Sequence, residues 1–484
     1  MNKRYWSALA IVLVVMDVAF TFWQNYQLPL DGDLAATVFP APWYAQVLHD
    51  PFGWAVLTKN DSYAATNRFF AHAAMGLYWK QVPRLLQYFV APIDSLYATC
   101  ALFNTAVQTA ILFALAAYVH LGAGGRRGAW PFWLAAALLA PLFQTDGFYE
   151  QMGIINAAST YTFFYAFPVA LLLALFWPFY KAAHQQRPLR LPLWRAALLV
   201  LLMVVIAFNG PIATAAVAVL LFSIALYWGW QHGRARLRDA PTTTPVPPAP
   251  WLSSQAMLLL GILAALSFYS LYIGRNNAEN TQTHTLWELY QLLPVGIYLQ
   301  LKMQWGLPLL IGLIVVNAQL IRRTFPLSGE RQRVLNKLRW VGFFALVFVF
   351  LLPFGGYRHY RPYLVRNDSI LPILIGLFYA YGVSTCFLLA HMSRKIKVGY
   401  IPLLLLFAGI FAYADATPKL PYNSDCQRWA FEQMARSQEP VVRVATDCTV
   451  LSWVTMHDFH QTEIQADMLY YWGVTNQKRT YYQE

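Results

Sequence analysis

"MNKRYWSALAIVLVVMDVAFTFWQNYQLPLDGDLAATVFP", residues 1–40, decides the fold. A basic start runs into an apolar stretch over 6–23, close to the roughly 20 residues a helix needs to cross a bilayer. No small-residue cleavage site follows, since "FTFWQNY" is bulky, so the stretch reads as a retained first span and not as a removed signal peptide. Directly behind it stand Asp31 and Asp33, one glycine apart, where the chain leaves the membrane.

The rest of the chain follows the same pattern. Of 484 residues, 58% are hydrophobic and only 12% charged, about half the charged share of a soluble domain. Further apolar runs fall at 96–121, 129–145, 160–180, 194–208, 211–230, 256–273, 306–321, 340–355, 370–390 and 399–414. The expected fold is therefore an all-α integral membrane protein with about eleven transmembrane helices. The pair 194–208 and 211–230, joined by "FNGPI", fits either a tight hairpin or one broken helix. Aromatic residues at 16% suit interfacial belts. The net charge of +13 does not imply nucleic acid, because the Lys and Arg lie in short loops between apolar runs and not on one face of a water-soluble module.

Those loops set the orientation. "MNKR", "GAGGRRGAW", "KAAHQQRPLRLPLWR", "QHGRARLRD", "IRRTFPLSGERQRVLNKLR" and "HMSRKIK" fall on alternating sides of the spans and carry few acids. The positive-inside rule makes them cytoplasmic, with the N-terminus. The first loop, 24–95, then faces outward from an inner (plasma) membrane, as does the tail, 415–484, beyond a transmembrane domain of residues 1–414. An outward tail meets an oxidising compartment, so Cys426 and Cys448 are expected to pair within a small cap of mixed structure. Cys100 and Cys386 lie within spans as packing residues. "DAPTTTPVPPAPW", 239–251, reads as an extended cytoplasmic linker.

Mixed polar residues collect in the outward loops. In the first, "APWYAQVLHDPFGWAVL" and "RFFAHAAMGLYWKQVPRLLQYFV" show the spacing of helices lying in the interface plane. Arg68, His72, Lys80 and Arg84 in the second of these could meet lipid phosphates. Asp31 and Asp33 share a face if the segment is extended. They could hold a divalent cation, or one could serve as a base whose pKa the other raises; alternatively, one of them N-caps a helix starting near Leu34. Asp146 and Glu150 in "QTDGFYEQ" share a helical face, as an addition to an acidic site or as loop solvation. "GGYRHYRPYLVRNDSI", 355–370, places Arg358, His359, Arg361 and Arg366 among tyrosines, the one strongly basic outward cluster. Arginine forks suit phosphate, so this is a candidate phosphate or pyrophosphate site for a lipid-linked substrate; binding to ordinary anionic headgroups, or pairing with Asp368 and other outward acids, are the competing accounts. In 275–306, His284, Glu288 and Lys302 are candidate acceptor contacts beside a further amphipathic stretch. His457, Asp458, His460 and Glu463 in the tail fit no zinc signature.

The layout resembles the GT-C superfamily of polytopic glycosyltransferases that use polyprenyl-phosphate-linked sugars. Such proteins have a short cytoplasmic N-terminus, a first span, and a long outward loop with an acid or acid pair close behind the span. "PLDGDLAATV" takes that place, and 41–95 supplies the helical loop. The resemblance implies catalytic or metal-linked roles for Asp33 and Asp31, Asp33 being nearer the following helix, with Mg or Mn as the ion. It implies donor-phosphate contacts from basic residues of later outward loops, for which Arg358, Arg361, Arg366 and His359 stand by charge and side. Asp146, Glu150, Arg68 and His72 are then secondary or acceptor contacts, for a glycan, lipid or protein acceptor. A transporter or lipid flippase, or a non-enzymatic membrane assembly subunit, are the alternatives. Asp17 is the sole acid that falls deep in a span.

Overall fold

The computed structural model describes residues 3–125, 128–145, 147–148, 151–237, 249–280, 284–417 and 424–484. Asp146 and Glu150, and most of the proline-rich linker, lie outside the described residues. Among those described, nine helices are long and apolar enough to cross a membrane: Arg4–Gln27, Pro92–Gly122, Ser159–Gln185, Pro211–Gln231, Ser254–Gly274, Gly306–Thr324, Gly329–Gly355, Leu371–His391 and Arg394–Ala416. The protein is thus a mostly helical, multi-pass membrane protein.

The remaining two apolar runs differ from the expected full spans. Trp130–Leu139 ends in a short 3-10 turn containing Pro141, and Leu193–Ala207 has 15 residues. At 1.5 Å per residue each reaches about 20 Å, short of a hydrocarbon core of about 30 Å. The second stops at Phe208-Asn209-Gly210, where Gly210 takes φ +125°, and Pro211 opens the next helix. Helices Pro92–Gly122 and Leu371–His391 are the most enclosed and form the centre of the large apolar core.

The 24–95 loop folds into four short helices, Leu34–Val38, Pro42–His49, Trp54–Lys59 and Phe69–Leu86. Between the second and third, the Asp50 carboxylate accepts N–H bonds from Trp54 and Ala55 at 2.6 and 2.8 Å, which turns the chain at Pro51 and Gly53. The tail forms a cap with helices Asp425–Arg436 and Glu463–Tyr471 and a parallel strand pair, Val441–Val444 with Thr480–Gln483. A Cys426–Cys448 disulfide closes it.

A second apolar core joins cap to loop, with Leu34 and Trp79 packed among Phe431, Leu451 and Trp472. Polar anchors set its register. Gln427 accepts from Leu30 N–H and the Tyr97 hydroxyl at 2.8 and 2.9 Å and donates to the Leu30 carbonyl at 3.2 Å, all in the interior. Arg428 pairs with Asp94 at 2.6 Å while its guanidinium lies over Tyr97. The Trp472 indole donates to the Trp79 carbonyl at 2.9 Å. Replacing Gln427 by Leu strands the buried Leu30 amide, at a cost of about 1–3 kcal/mol. The thermal midpoint of the purified Gln427→Leu protein should fall clearly below wild type; an unchanged midpoint would show that the cap is not held through this residue.

Candidate functional site

After the first span, Pro29 keeps the chain from continuing as helix, and Asp31 turns inward. One of its oxygens accepts from the Thr160 hydroxyl at 2.9 Å and the Asp33 N–H at 3.2 Å; the other accepts from Thr160 N–H at 3.2 Å and the Ser159 hydroxyl at 3.4 Å. Burial pushes its carboxyl up to about 6, against the opposing pull of the Thr160 hydroxyl. All four lone-pair directions are occupied. Asp31 is therefore an internal brace between the first loop and the start of helix Ser159–Tyr161.

Asp33 takes the N-cap position of helix Leu34–Val38, yet its side chain makes no capping bond. It accepts instead from the Trp453 indole of the cap at 2.8 Å. Gly32 permits this approach: a Cβ there would lie 2.5 Å from the backbone of both Ser452 and Trp453, so any side chain must push the cap loop away. Burial raises the Asp33 pKa above its ordinary value, while the Trp453 indole and then Arg361 hold it back.

The same cavity, about 390 Å³, is lined by Asp33, Arg68, Glu279, Arg358 and Arg361, with aromatic walls that include Tyr44, Tyr161, Tyr165 and Trp453. The basic cluster reaches it through a turn in which Arg361 N–H donates to the Arg358 carbonyl at 2.9 Å, bringing these two arginines to one side and leaving His359 exposed. Arg358 pairs with Glu279 at 2.6 Å. Arg361 pairs with Asp368 at 2.9 Å and donates to the hydroxyls of Tyr161 at 2.5 Å and Tyr165 at 3.3 Å. A π-helical turn, Thr162–Ala166, directly follows Tyr161 and contains Tyr165. Burial would lift Glu279, but Arg68 and Arg358, with bonds from Tyr44 and Asn277, bring it below the usual carboxylate range. Arg68 is buried, lies over the Phe164 ring and donates no side-chain hydrogen bond among the described residues.

Of the residues expected from sequence, Asp33, Arg358, Arg361 and Arg68 thus meet in one chamber. Arg366 does not line it: its guanidinium is held by Asp368 at 2.9 Å and by the Tyr363 carbonyl. His72 is buried behind it, its ring between Tyr44 and Phe164, with desolvation lowering its pKa to about 3 so that the ring is neutral. Glu288 closes a capping box with Thr285 on helix Leu286–Lys302. The Asp31–Asp33 pair leaves only Asp33 open to a ligand, because both Asp31 oxygens are engaged, and the described residues contain no group of three His, Cys, Asp or Glu fit to hold a metal.

Sequence reasoning missed Glu279, Tyr44, Tyr161, Tyr165 and Trp453. Glu279 carried one signal, as an acid a few residues beyond a span in an asparagine-rich loop. Asn277 folds that loop by accepting from the N–H groups of Ala65 and Glu279. No protein-family model matches the chain, and no curated protein sequence matches it.

Gly32→Ala should separate Trp453 from Asp33 without adding or removing charge. The expected result is a loss of whatever chemistry the chamber performs, with a smaller loss when Trp453 is instead replaced by Phe. Indole fluorescence in a variant retaining Trp453 as a near-sole reporter should shift in Gly32→Ala; an unshifted spectrum would mean that the loop tolerates a methyl group.

Proposed function

We propose that the protein is a GT-C-type membrane glycosyltransferase, moving a sugar from a polyprenyl-phosphate donor to a glycan, lipid or protein acceptor on the outer side of the inner membrane. In this orientation the N-terminus is cytoplasmic, the cap faces outward, and all eleven apolar helices belong to the membrane domain. One observation carries the proposal: Asp33, from the acid pair behind the first span, shares a cavity with Arg68, Arg358 and Arg361. A base and an anion-binding face across one chamber are what displacement of a lipid phosphate requires.

In the reaction, the acceptor hydroxyl attacks the anomeric carbon with inversion. Asp33 takes the hydroxyl proton as the new carbon–oxygen bond forms. The bond from the anomeric carbon to the phosphate oxygen breaks, and its electron pair leaves with the polyprenyl phosphate. Arg358 and Arg361 already face protein carboxylates; Arg68, buried without a hydrogen-bonded partner, has donors free for the phosphate oxygens. The leaving group is a good one, so positioning and charge stabilisation supply much of the acceleration. Among the described residues, no group of three His, Cys, Asp or Glu is placed to hold Mg or Mn.

Protein in nanodiscs, supplied with radiolabelled polyprenyl-phosphate hexoses and pentoses, should release label from at least one donor. Asp33→Asn should lower that rate by about 10²–10⁴-fold while keeping the wild-type thermal midpoint. Full turnover by Asp33→Asn would end the assignment. Arg68→Met should weaken donor binding by about tenfold or more, whereas Arg366→Met should change it little.

The pH dependence has a defined sign. A base must be ionised, and burial places the Asp33 pKa above the ordinary 3.8, so kcat/KM should fall on acidification through a limb lying above pH 3.8. The Trp453 indole stabilises the carboxylate, so Trp453→Phe should move that limb to higher pH. A limb that stays in place, or moves to lower pH, would separate Asp33 from the proton transfer.

A further inference from the structure

Helix Pro92–Gly122 begins beside the cap and runs 31 residues to the opposite end of the bundle. There a second cavity, about 220 Å³, opens between helices, lined by Tyr180, His184, Gln186, Tyr227, Trp251 and Lys337. This is the end where the basic loops gather, and nothing in the transfer reaction uses it.

The cavity has a built wall. The segment after helix Phe167–Gln185 is fastened to the start of helix Ser254–Gly274: the Ser253 hydroxyl donates to the Leu189 carbonyl at 2.7 Å, and the Gln255 amide bonds both main-chain groups of Leu191, at 2.8 and 2.9 Å. Trp251 is buried in that junction. On the facing side, the Lys337 ammonium donates to the Gly122 carbonyl at 2.5 Å. A Cβ on Gly122 would collide with the hydroxyls of Tyr180 and Tyr379, themselves 2.7 Å apart, so this packing is tight.

The charge balance at this cavity is one-sided. Lys337 is half-buried and forms no ion pair among the described residues. Lys337 and Arg333, one helical turn apart, both lie within electrostatic reach of His184. Lys337 and His184 therefore line a preformed pocket that has no carboxylate among its described lining residues, with Arg333 within electrostatic reach. A partly desolvated ammonium without a counter-ion is costly and favours an anion of fixed geometry. The aromatic walls suit the apolar neck of a lipid, and basic pockets between helices near the cytoplasmic surface bind lipid head groups.

We infer that the cavity between Lys337, His184 and Trp251 binds a phosphate-bearing anion, the head group of an acidic phospholipid in the leaflet at this end. Lys337 supplies the principal contact, and His184 and Gln186 add polar contacts at the mouth. The site is independent of the chamber holding Asp33.

The test uses the full chain in detergent, with thermal unfolding and native mass spectrometry read against dioctanoyl phosphatidylglycerol, dioctanoyl phosphatidylcholine and inorganic phosphate. Phosphatidylglycerol should stabilise saturably, with affinity at least about tenfold weaker in Lys337→Met. His184→Leu should weaken it several-fold; the His184 side chain makes no hydrogen bond among the described residues, so this variant still decides the matter if Lys337→Met folds poorly. Lys337-dependent stabilisation by inorganic phosphate as well would identify a soluble phosphate ester as the source of the same chemistry. Equal stabilisation by phosphatidylcholine, no stabilisation by any probe, or stabilisation indifferent to both substitutions would overturn the inference.

Discussion

The arrangement depends on one buried carboxylate. Asp31 accepts four hydrogen bonds from three residues, two of which begin a helix more than a hundred positions away in the chain. A buried charge without partners is intolerable, and with them it fixes geometry. Here it pins the segment after the first span to the Ser159–Tyr161 turn, so the next residues have little freedom. Gly32 is pressed against the cap, and Asp33 sits where a capping residue would but reaches across to an indole. The acid pair is thus a division of labour: one carboxylate is consumed in holding the other in place.

A similar division holds within the chamber. Two carboxylates line it, in different surroundings. Glu279 touches Arg358, feels Arg68, and accepts from Tyr44 and Asn277, which brings its pKa below the ordinary range. Asp33 has burial raising its pKa, with the Trp453 indole and then Arg361 resisting. Paired acids whose environments push their pKa values apart take separate roles. A carboxylate held by two guanidiniums is a poor proton acceptor and a good counter-ion; the one raised toward neutrality is the better base. The environment therefore selects Asp33 over Glu279 without appeal to their order in the chain.

The helical membrane architecture was legible because bilayer thickness converts directly into sequence: every apolar run became a helix, and only length separated Trp130–Leu139 and Leu193–Ala207 from the rest. The acids behind the first span and the arginines at 358 and 361 were legible as local exceptions, charges where apolar surface or the topology rule disfavours them. What joins them was not. Trp453 meets Asp33 across more than four hundred residues, and Glu279 enters only because Asn277 folds one loop onto the backbone at Ala65. Such contacts come from tertiary docking of cap and loop, which leaves no periodicity in either segment. Arg366 and His359 read from sequence like Arg361, but the turn at 358–361 leaves His359 exposed and Asp368 holds Arg366 away from the chamber.

The basic cluster at 355–370 is less of an exception than its composition suggests. Positive charge is disfavoured there only if it is uncompensated, and the fold compensates most of it: Arg358 with Glu279, and Arg361 and Arg366 with Asp368. Counting Arg68 and Asp33, four guanidiniums stand against three carboxylates, so a single positive charge remains in excess while Asp33 is ionised. When Asp33 takes a proton the excess becomes two, at the stage of the proposed transfer when the departing phosphate gains negative charge. Base and anion site are then electrostatically linked, since protonating one strengthens the other. Arg68 is where that excess is available, because it alone of the four donates its hydrogen bonds to no protein carboxylate.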